Sequence, residues 1–511
     1  MLSFEMQVMN VDAIGLVDRA GSFRLGTTLA EYLQTLPGYW PPLYPVLCLL
    51  MDIPLEDIEF SGKLISILSG TGLIFIIYLL SRDLYGDTAA LTASFLAAFF
   101  PVLIYYSAFT TPEMTYLFFL YASLLLFVKW VVSPGPFYAI LTGLTASAAY
   151  LTRSEGILLF FQIIFMGMLV AFYKWRSDKH VFRPYARGLA FFIVAFILLA
   201  SPFLLFLKQD VGSWSISRGG GMAFTLTKEN IEPAVWSLTD DKTRVKGYFY
   251  ESYRKQSLLE ILKNDPEQIT GKWSSNFKLL ITATLPEMFI NKYILAFFLA
   301  LVLAALLLRR DIMHRHLLLL FMLAPIFITP LYVIELRTQI YIIPVVLILA
   351  AVSIGIFADT VINRAAGRLS FRPGPVIALI TVAIISVTTT YYKILQPEFD
   401  KKGRYGLEQK KAGIWLRESG LSQGKVMARK PWTAFYSGNE ILPLPLADYE
   451  DILFYARHNN ARYLIIDDLL TTRMRPDLEF LLQEDPEELN LIYEAEGKVR
   501  LFAFKKQGGV K

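Results

Sequence analysis

Ten long apolar stretches dominate residues 62–391. They run over 62–80, 88–105, 113–131, 137–151, 157–173, 188–207, 292–308, 316–334, 339–358 and 375–391. A helix needs roughly 17–20 apolar residues to cross a hydrocarbon core about 30 Å thick. Membrane β-strands would alternate weakly instead of forming solid runs, so the pattern predicts helices. The run 137–151 is short and reads as a thin or partly re-entrant span. Ionisable residues fall at stretch ends. When the spans are alternated, Asp12, Glu113, Arg153, Glu155, Glu335 and Arg337 come out on one side. Charge gathered at one mouth, with an uncharged mid-membrane plane, favours chemistry at the surface over ion transport.

The polar segments set the organisation. Residues 1–61 form an outer segment with a Pro-rich turn over 39–45. It leads into a short apolar helix over 43–51 whose aromatics suit the headgroup level. The loop 208–291 is polar, contains Arg218-Gly219-Gly220-Gly221 and predicts a folded or lid-like segment. The tail 392–511 is charged and amphipathic. Strand-like pieces (425–429, 462–467, 489–493, 499–504) alternate there with helical ones (407–417, 447–457, 476–483), which predicts a small α/β domain. The fold class is therefore a polytopic α-helical membrane protein of about ten spans with a small C-terminal α/β domain. Its parts are 1–61, a membrane domain over 62–391, and 392–511.

Composition agrees: 55% of residues are hydrophobic and 14% aromatic, and the mean hydropathy is +0.46, which excludes an ordinary soluble protein. A net charge of +5 says little, but its placement orients the chain. One face carries Arg82, Lys129, Lys174, Arg176, Lys179, Arg183, Arg187, Arg309, Arg310, Arg315, Arg364, Arg368 and Arg372. The short loops opposite offer only Arg153 and Arg337. The basic face is read as cytoplasmic, which puts residues 1–61, the loop 208–291 and the tail outside. Export of the first segment would require a transmembrane helix before it, so a preceding first helix is expected. The single cysteine, Cys48, excludes an intramolecular disulfide and a cysteine metal cluster.

Glu113 follows Pro112 at a span start, where an acid also complements the helix dipole. Asp12 lies in a loop just outside the membrane. Two carboxylates at one mouth can deprotonate and orient an acceptor hydroxyl, directly or through a divalent cation. No other cofactor is implied. Arg153 and Glu155 share a hairpin between two spans and can simply close it as a local pair. Glu335 and Arg337, followed by Tyr341, form a similar group. An arginine at such a mouth suits a phosphate, because its planar fork of donors matches the oxygens. Lys63 heads its span on the same side and can add a second cation or snorkel. His180, His314, His316 and His458 are scattered and offer no metal site. There is no P-loop, no Gly-x-Gly-x-x-Gly and no Ser/His/Asp set, so nucleotide hydrolysis and nucleic-acid partners have no support.

Several strings, taken in order, resemble C-type (GT-C) glycosyltransferases that use polyprenyl-phosphate sugars. The similar branch holds dolichyl-phosphate-mannose protein mannosyltransferases and the lipid A aminoarabinose transferase. Asp12-Ala13-Ile14, Arg19-Ala20-Gly21 and Trp40-Pro41-Pro42-Leu43-Tyr44-Pro45 are similar to its first outer loop. Gly62 to Gly70, then Arg82-Asp83-Leu84-Tyr85-Gly86, resembles its next span. Tyr106-Ser107 with Thr111-Pro112-Glu113 resembles its second acidic motif, and Tyr150-Leu151-Thr152-Arg153-Ser154-Glu155-Gly156 matches closely. The likeness covers 10–207 best and is generic in the tail. Two departures stand out: no helix precedes the first acid in this chain, and Asp12 lacks an acidic neighbour.

The resemblance implies transfer of a sugar from a polyprenyl-phosphate donor to a lipid, glycan or protein acceptor. The enzyme would sit in the inner or plasma membrane, with its active site on the extracytoplasmic face. Asp12 would be the base, and Glu113 would position the acceptor or a cation. Arg337, with Arg153 or Lys63, would hold the leaving phosphate, supported by Glu155, Glu335 and Tyr341. A transporter or flippase for lipid-linked sugars, which would favour broken helices with polar groups near the midplane, is the competing reading. A non-catalytic assembly subunit is a third.

Overall fold

In the computed structural model the described residues are Met9, Ile14, Gly15, 41–217 without Asp178, 237–238, 242–245, 263–365 without Val333, and 406–505 without 469–470 and 496–497. They belong to two units. One draws on residues within 26–224 and 257–397, the other on residues within 1–25, 225–256 and 398–511. Asp12 and the run 375–391 lie outside the described residues, as do Arg218 to Gly221.

The first unit is helical. α1 (Leu43–Leu55) ends at Glu56 in the left-handed region, φ 52°. α2 (Ile58–Tyr85) starts where the Asp57 side chain accepts from the Phe60 amide at 3.0 Å, satisfying a first-turn donor. It stops at Gly86, whose φ of 90° suits glycine. α3 (Asp87–Ala98) and α4 (Pro101–Ala108) follow, then α5 (Glu113–Val132), α6 (Pro136–Thr152), α7 (Ile157–Ser177) and α8 (Lys179–Val211). After the loop come α9 (Pro266–Leu279), a π turn over Leu280–Thr284, α10 (Lys292–Leu308), α11 (Met313–Phe321) and α12 (Ile342–Ala365).

Among the described residues four helices are long and apolar enough to cross a membrane, or up to seven if each bent pair counts as one span. The bends correct the sequence reading, which took 88–105 and 316–334 as unbroken. α3 and α4 meet at 55°, because Pro101 opens α4 and cannot continue α3. Arg310–Phe321 and Ala324–Leu331 meet at 48°, and Pro325 and Pro330 limit the second piece to 3₁₀ turns. The segment Pro266–Met288 meets α10 at 92°. The short run 137–151 forms α6, 17 residues long, so only about 25 Å of helix.

Small residues and interhelical hydrogen bonds hold these helices together, as expected where lipid supplies no hydrophobic drive. α6 approaches α8 so closely that a Cβ on Gly143 would stand 2.4 Å from the Phe192 carbonyl oxygen. Ser123 of α5 donates to the Thr142 carbonyl at 3.1 Å, and Tyr121 donates to the Tyr341 carbonyl at 2.6 Å. Tyr85 and His316 are joined at 3.0 Å between hydroxyl and Nδ1, while Nε2 meets the Arg309 carbonyl at 3.2 Å. Both ring nitrogens of this histidine are thus structural.

The second unit is an α/β domain: α13 (Leu407–Glu418), β1 (Lys425–Ala428), α14 (Trp432–Ser437), β2 (Glu440–Pro443), α15 (Tyr449–His458), β3 (Ala461–Asp467), β4 (Leu489–Ala495) and β5 (Val499–Phe504). The strand order is β2-β1-β3-β5-β4. β1 pairs parallel with β2 and β3, and β5 pairs antiparallel with β3 and β4. Leu464, Ile465 and Ile466 are all buried, so β3 is covered on both faces. The four expected strands are present. β2 was not expected: Pro443 and Pro445 disguise it, and its edge position is where a strand tolerates proline. The piece 476–483 forms a 3₁₀ helix, Pro476–Leu482. Met9 belongs to this unit: its carbonyl accepts from Trp432 Nε1 at 2.8 Å and its amide donates to the Tyr436 hydroxyl at 3.1 Å.

Candidate active site

The candidate site lies in the helical unit, where α5 begins and α6 ends. Pro112 precedes α5 and sets Glu113 in its first turn. α6 closes at Arg153, whose backbone is extended, and a single 3₁₀ turn over Ser154–Gly156 reverses the chain into α7. The reversal needs Gly156, since a Cβ there would lie 2.5 Å from backbone atoms of Ala149 and Tyr150. It delivers the Arg153 guanidinium to two carboxylates. Nη1 donates to Glu113 Oε1 at 2.6 Å, and Nη2 donates to Glu155 Oε1 at 2.8 Å.

Burial makes this triad unusual. The Arg153 side chain is 6% exposed and that of Glu113 is 1% exposed, against 25% for Glu155. Burial alone would pull the Arg153 pKa down, but Glu155 and Glu113 overcome it and hold the guanidinium above its ordinary value. Glu113 Oε2 is buried with no hydrogen-bond partner among the described residues. A buried carboxylate oxygen left open is an acceptor for a hydroxyl donor.

Arg337 pairs with Glu335, and both are partly exposed. It is within electrostatic range of Arg153, Glu155 and Tyr106. The structure therefore gathers Glu113, Arg153, Glu155, Glu335 and Arg337. Tyr341 is buried beside them, in range of Tyr116, which in turn interacts with Arg153 and Glu155. Lys63 turns back one helical turn to Glu59 at 3.1 Å. Asp12 lies outside the described residues.

The sequence reading missed the tyrosines of this cluster. Tyr44 and Tyr106 both feel the Glu113 charge, and Tyr332 feels that of Glu155. Tyr106 sat in the quoted Tyr106-Ser107 string. Tyr332 offered no signal beyond nearness to Glu335. Among the described residues no three or more His, Cys, Asp or Glu side chains gather as metal ligands. Glu113 and Glu155 meet across Arg153, whose positive charge disfavours a cation between them.

Residues 41–205 match the family model of dolichyl-phosphate-mannose-protein mannosyltransferases. No curated protein matches the chain significantly. Among solved structures the fold is similar to that of ArnT from Cupriavidus metallidurans bound to undecaprenyl phosphate. The TM-score is 0.53 at 13% identity, covering 98% of this chain and 95% of that one. AglB, the oligosaccharyltransferase of Archaeoglobus fulgidus, in complex with an inhibitory peptide and a dolichol-phosphate, gives 0.52 at 13% identity, covering 92% of this chain and 68% of that one. Glu113, Arg153 and Glu155 fall inside the matched family segment. The family match and the shared fold bear out the resemblance to the C-type, polyprenyl-phosphate-dependent glycosyltransferases.

Proposed function

We propose that the protein is a membrane glycosyltransferase that moves a sugar from a polyprenyl-phosphate donor to an acceptor on the extracytoplasmic face. The carrying observation is the buried Arg153–Glu113 pair with its open carboxylate oxygen, set beside a partly exposed Arg337. Residues 1–61 and 392–511 are taken as outer parts, and 62–391, with its outer loop 208–291, as the catalytic membrane domain.

In the reaction an acceptor oxygen attacks the anomeric carbon, and the bond from that carbon to the phosphate oxygen breaks. The acceptor proton goes to a carboxylate, and polyprenyl phosphate leaves with the bond electrons. Asp12 takes the proton. Glu113, buried and held by Arg153, orients the acceptor hydroxyl through Oε2 instead. Arg153 already faces two carboxylates, so its net field on a phosphate is small. Arg337, paired with Glu335 and more exposed than Arg153, is the main phosphate cation. Lys63 is a weaker candidate, since its ammonium faces Glu59.

Transfer from a panel of polyprenyl-phosphate sugars in proteoliposomes tests this reading. A glycosylated acceptor and free polyprenyl phosphate are the expected products. The bent pairs of helices favour the second reading, a transporter or flippase. Movement of labelled donor between leaflets without product would select that reading, and neither activity would leave an assembly subunit.

A further inference from the structure

α7 carries the chain about 30 Å away from Gly156, to a second feature that the transfer reaction does not use. Where α7 ends and α8 begins there is an apolar cleft of about 290 Å³, lined by Met168, Ala171, Phe172, Trp175, Phe182 and Ala186. This is at the low end of the usual range for small-molecule pockets, a size that fits one chain segment of a lipid. Its small residues are Ala171 and Ala186, and its rings are exposed: Phe172 is 54% and Trp175 46% accessible. Trp130 is buried alongside. Gly188 lies so close to it that a Cβ there would come 2.4 Å from the indole nitrogen. Small residues thus bring α8 tightly onto α5 next to the cleft.

The chain around the junction of α7 and α8 is basic. Between 157 and 207 the chain has Lys174, Arg176, Lys179, Arg183 and Arg187 against the single acid Asp178. Arg176, Arg183 and Arg187 are exposed and Lys174 is half-buried. None of these four forms an ion pair among the described residues. An apolar cleft lined by a tryptophan, with exposed cations next to its lining residues in the chain, matches a lipid with a negative headgroup, since tryptophan favours the headgroup level.

We propose that this cleft binds an anionic phospholipid. One acyl chain lies over Ala171 and Ala186 between the rings of Phe172, Trp175 and Phe182. The phosphate rests on Arg183 and Arg187, with Lys174 and Arg176 adding charge. Burial of the methylenes supplies affinity, and the guanidinium forks supply the preference for negative charge. The site is separate from the sugar-transfer reading and stands or falls without it.

The test is native mass spectrometry of the full-length protein with equal phosphatidylglycerol and phosphatidylcholine. One phosphatidylglycerol should be retained in preference. Ala186→Phe fills the cleft and should lower retention about tenfold or more; Ala171→Leu serves the same end should the first variant fail to fold. Arg183→Gln with Arg187→Gln should lower the preference for phosphatidylglycerol about tenfold or more. Equal retention of the two lipids overturns the proposal. So does unchanged retention in a folded filled-cleft variant, or undecaprenyl phosphate displacing phosphatidylglycerol from the cleft.

Discussion

Arg153 Nη1 lies 2.6 Å from Glu113 Oε1, and the two residues sit at the facing ends of α6 and α5, forty positions apart. Both are almost wholly buried, and among the described residues Arg153 alone hydrogen-bonds the Glu113 carboxylate, through one oxygen. A buried pair of this kind is costly to assemble, and breaking it by removing one partner is worse.

Arg153→Ala should therefore destabilise the protein by about 3–5 kcal/mol, because it strands the buried Glu113 charge. Glu113→Gln should cost less, about 1–3 kcal/mol, since the amide oxygen still accepts and Arg153 keeps Glu155. Thermal unfolding in detergent measures both. An Arg153→Ala protein as stable as the parent would show that the pair does not fasten α5 to α6.

Gly143 should tolerate no side chain. A Cβ there would sit 2.4 Å from the Phe192 carbonyl oxygen and 2.9 Å from the Ala195 Cβ, and backbone cannot swing aside as a flexible side chain can. Gly143→Ala should cost about 3 kcal/mol or more, the upper range for overpacking, read as an earlier unfolding transition. Gly135→Ala, with nothing within 4 Å of the added Cβ, is the matched control and should be nearly silent.

The apolar runs behind α2, α5, α7 and α8 were legible because each is a solid stretch, which only a helix can satisfy in lipid. The bends inside 88–105 and 316–334 were also encoded, by Pro101 and Pro325 within runs that looked continuous, but an average over hydrophobicity hides a proline. The carboxylates and arginines of the cluster could be picked out one by one, but not its tyrosines or its pairing. Arg153 meeting Glu155 is local and could be foreseen. Arg153 reaching Glu113 depends on α5 packing against α6, which no spacing in the chain specifies. The Lys63–Glu59 pair is local too, since Glu59 lies one helical turn earlier.

Cys48 offers a route to the proposed orientation. Burial pushes its thiol up to about 12, so at pH 8 only about one thiol in ten thousand is the reactive thiolate. The native protein should resist maleimide, which makes it a silent background for introduced cysteines. Arg176→Cys should label from the cytoplasm and Glu450→Cys from outside, as the basic-face rule requires. Fast labelling of Cys48 in the folded protein would contradict its burial. Cytoplasmic labelling at 450 would reverse the orientation and, with it, the outer-face reaction.

The kinetics of three variants should separate base, orienter and phosphate cation. Asp12→Asn keeps size and hydrogen bonding but removes basicity, so the rate should fall roughly 10²–10⁴-fold, the usual contribution of a positioned base. Donor KM should barely change, because the proton moves only as the new bond forms. Glu113→Gln keeps an acceptor oxygen for the hydroxyl and should lose less than Asp12→Asn. Arg337→Ala should raise donor KM, since its phosphate contact exists before reaction, and should lower kcat further as charge develops on the leaving oxygen. Its folding should be nearly intact, because a partly exposed pair such as Arg337–Glu335 is worth about 0–1 kcal/mol. If Asp12→Asn keeps full activity while Glu113→Gln is dead, the base is Glu113. The open Oε2 is then the proton acceptor, and Arg153 the group that holds the carboxylate in place through Oε1.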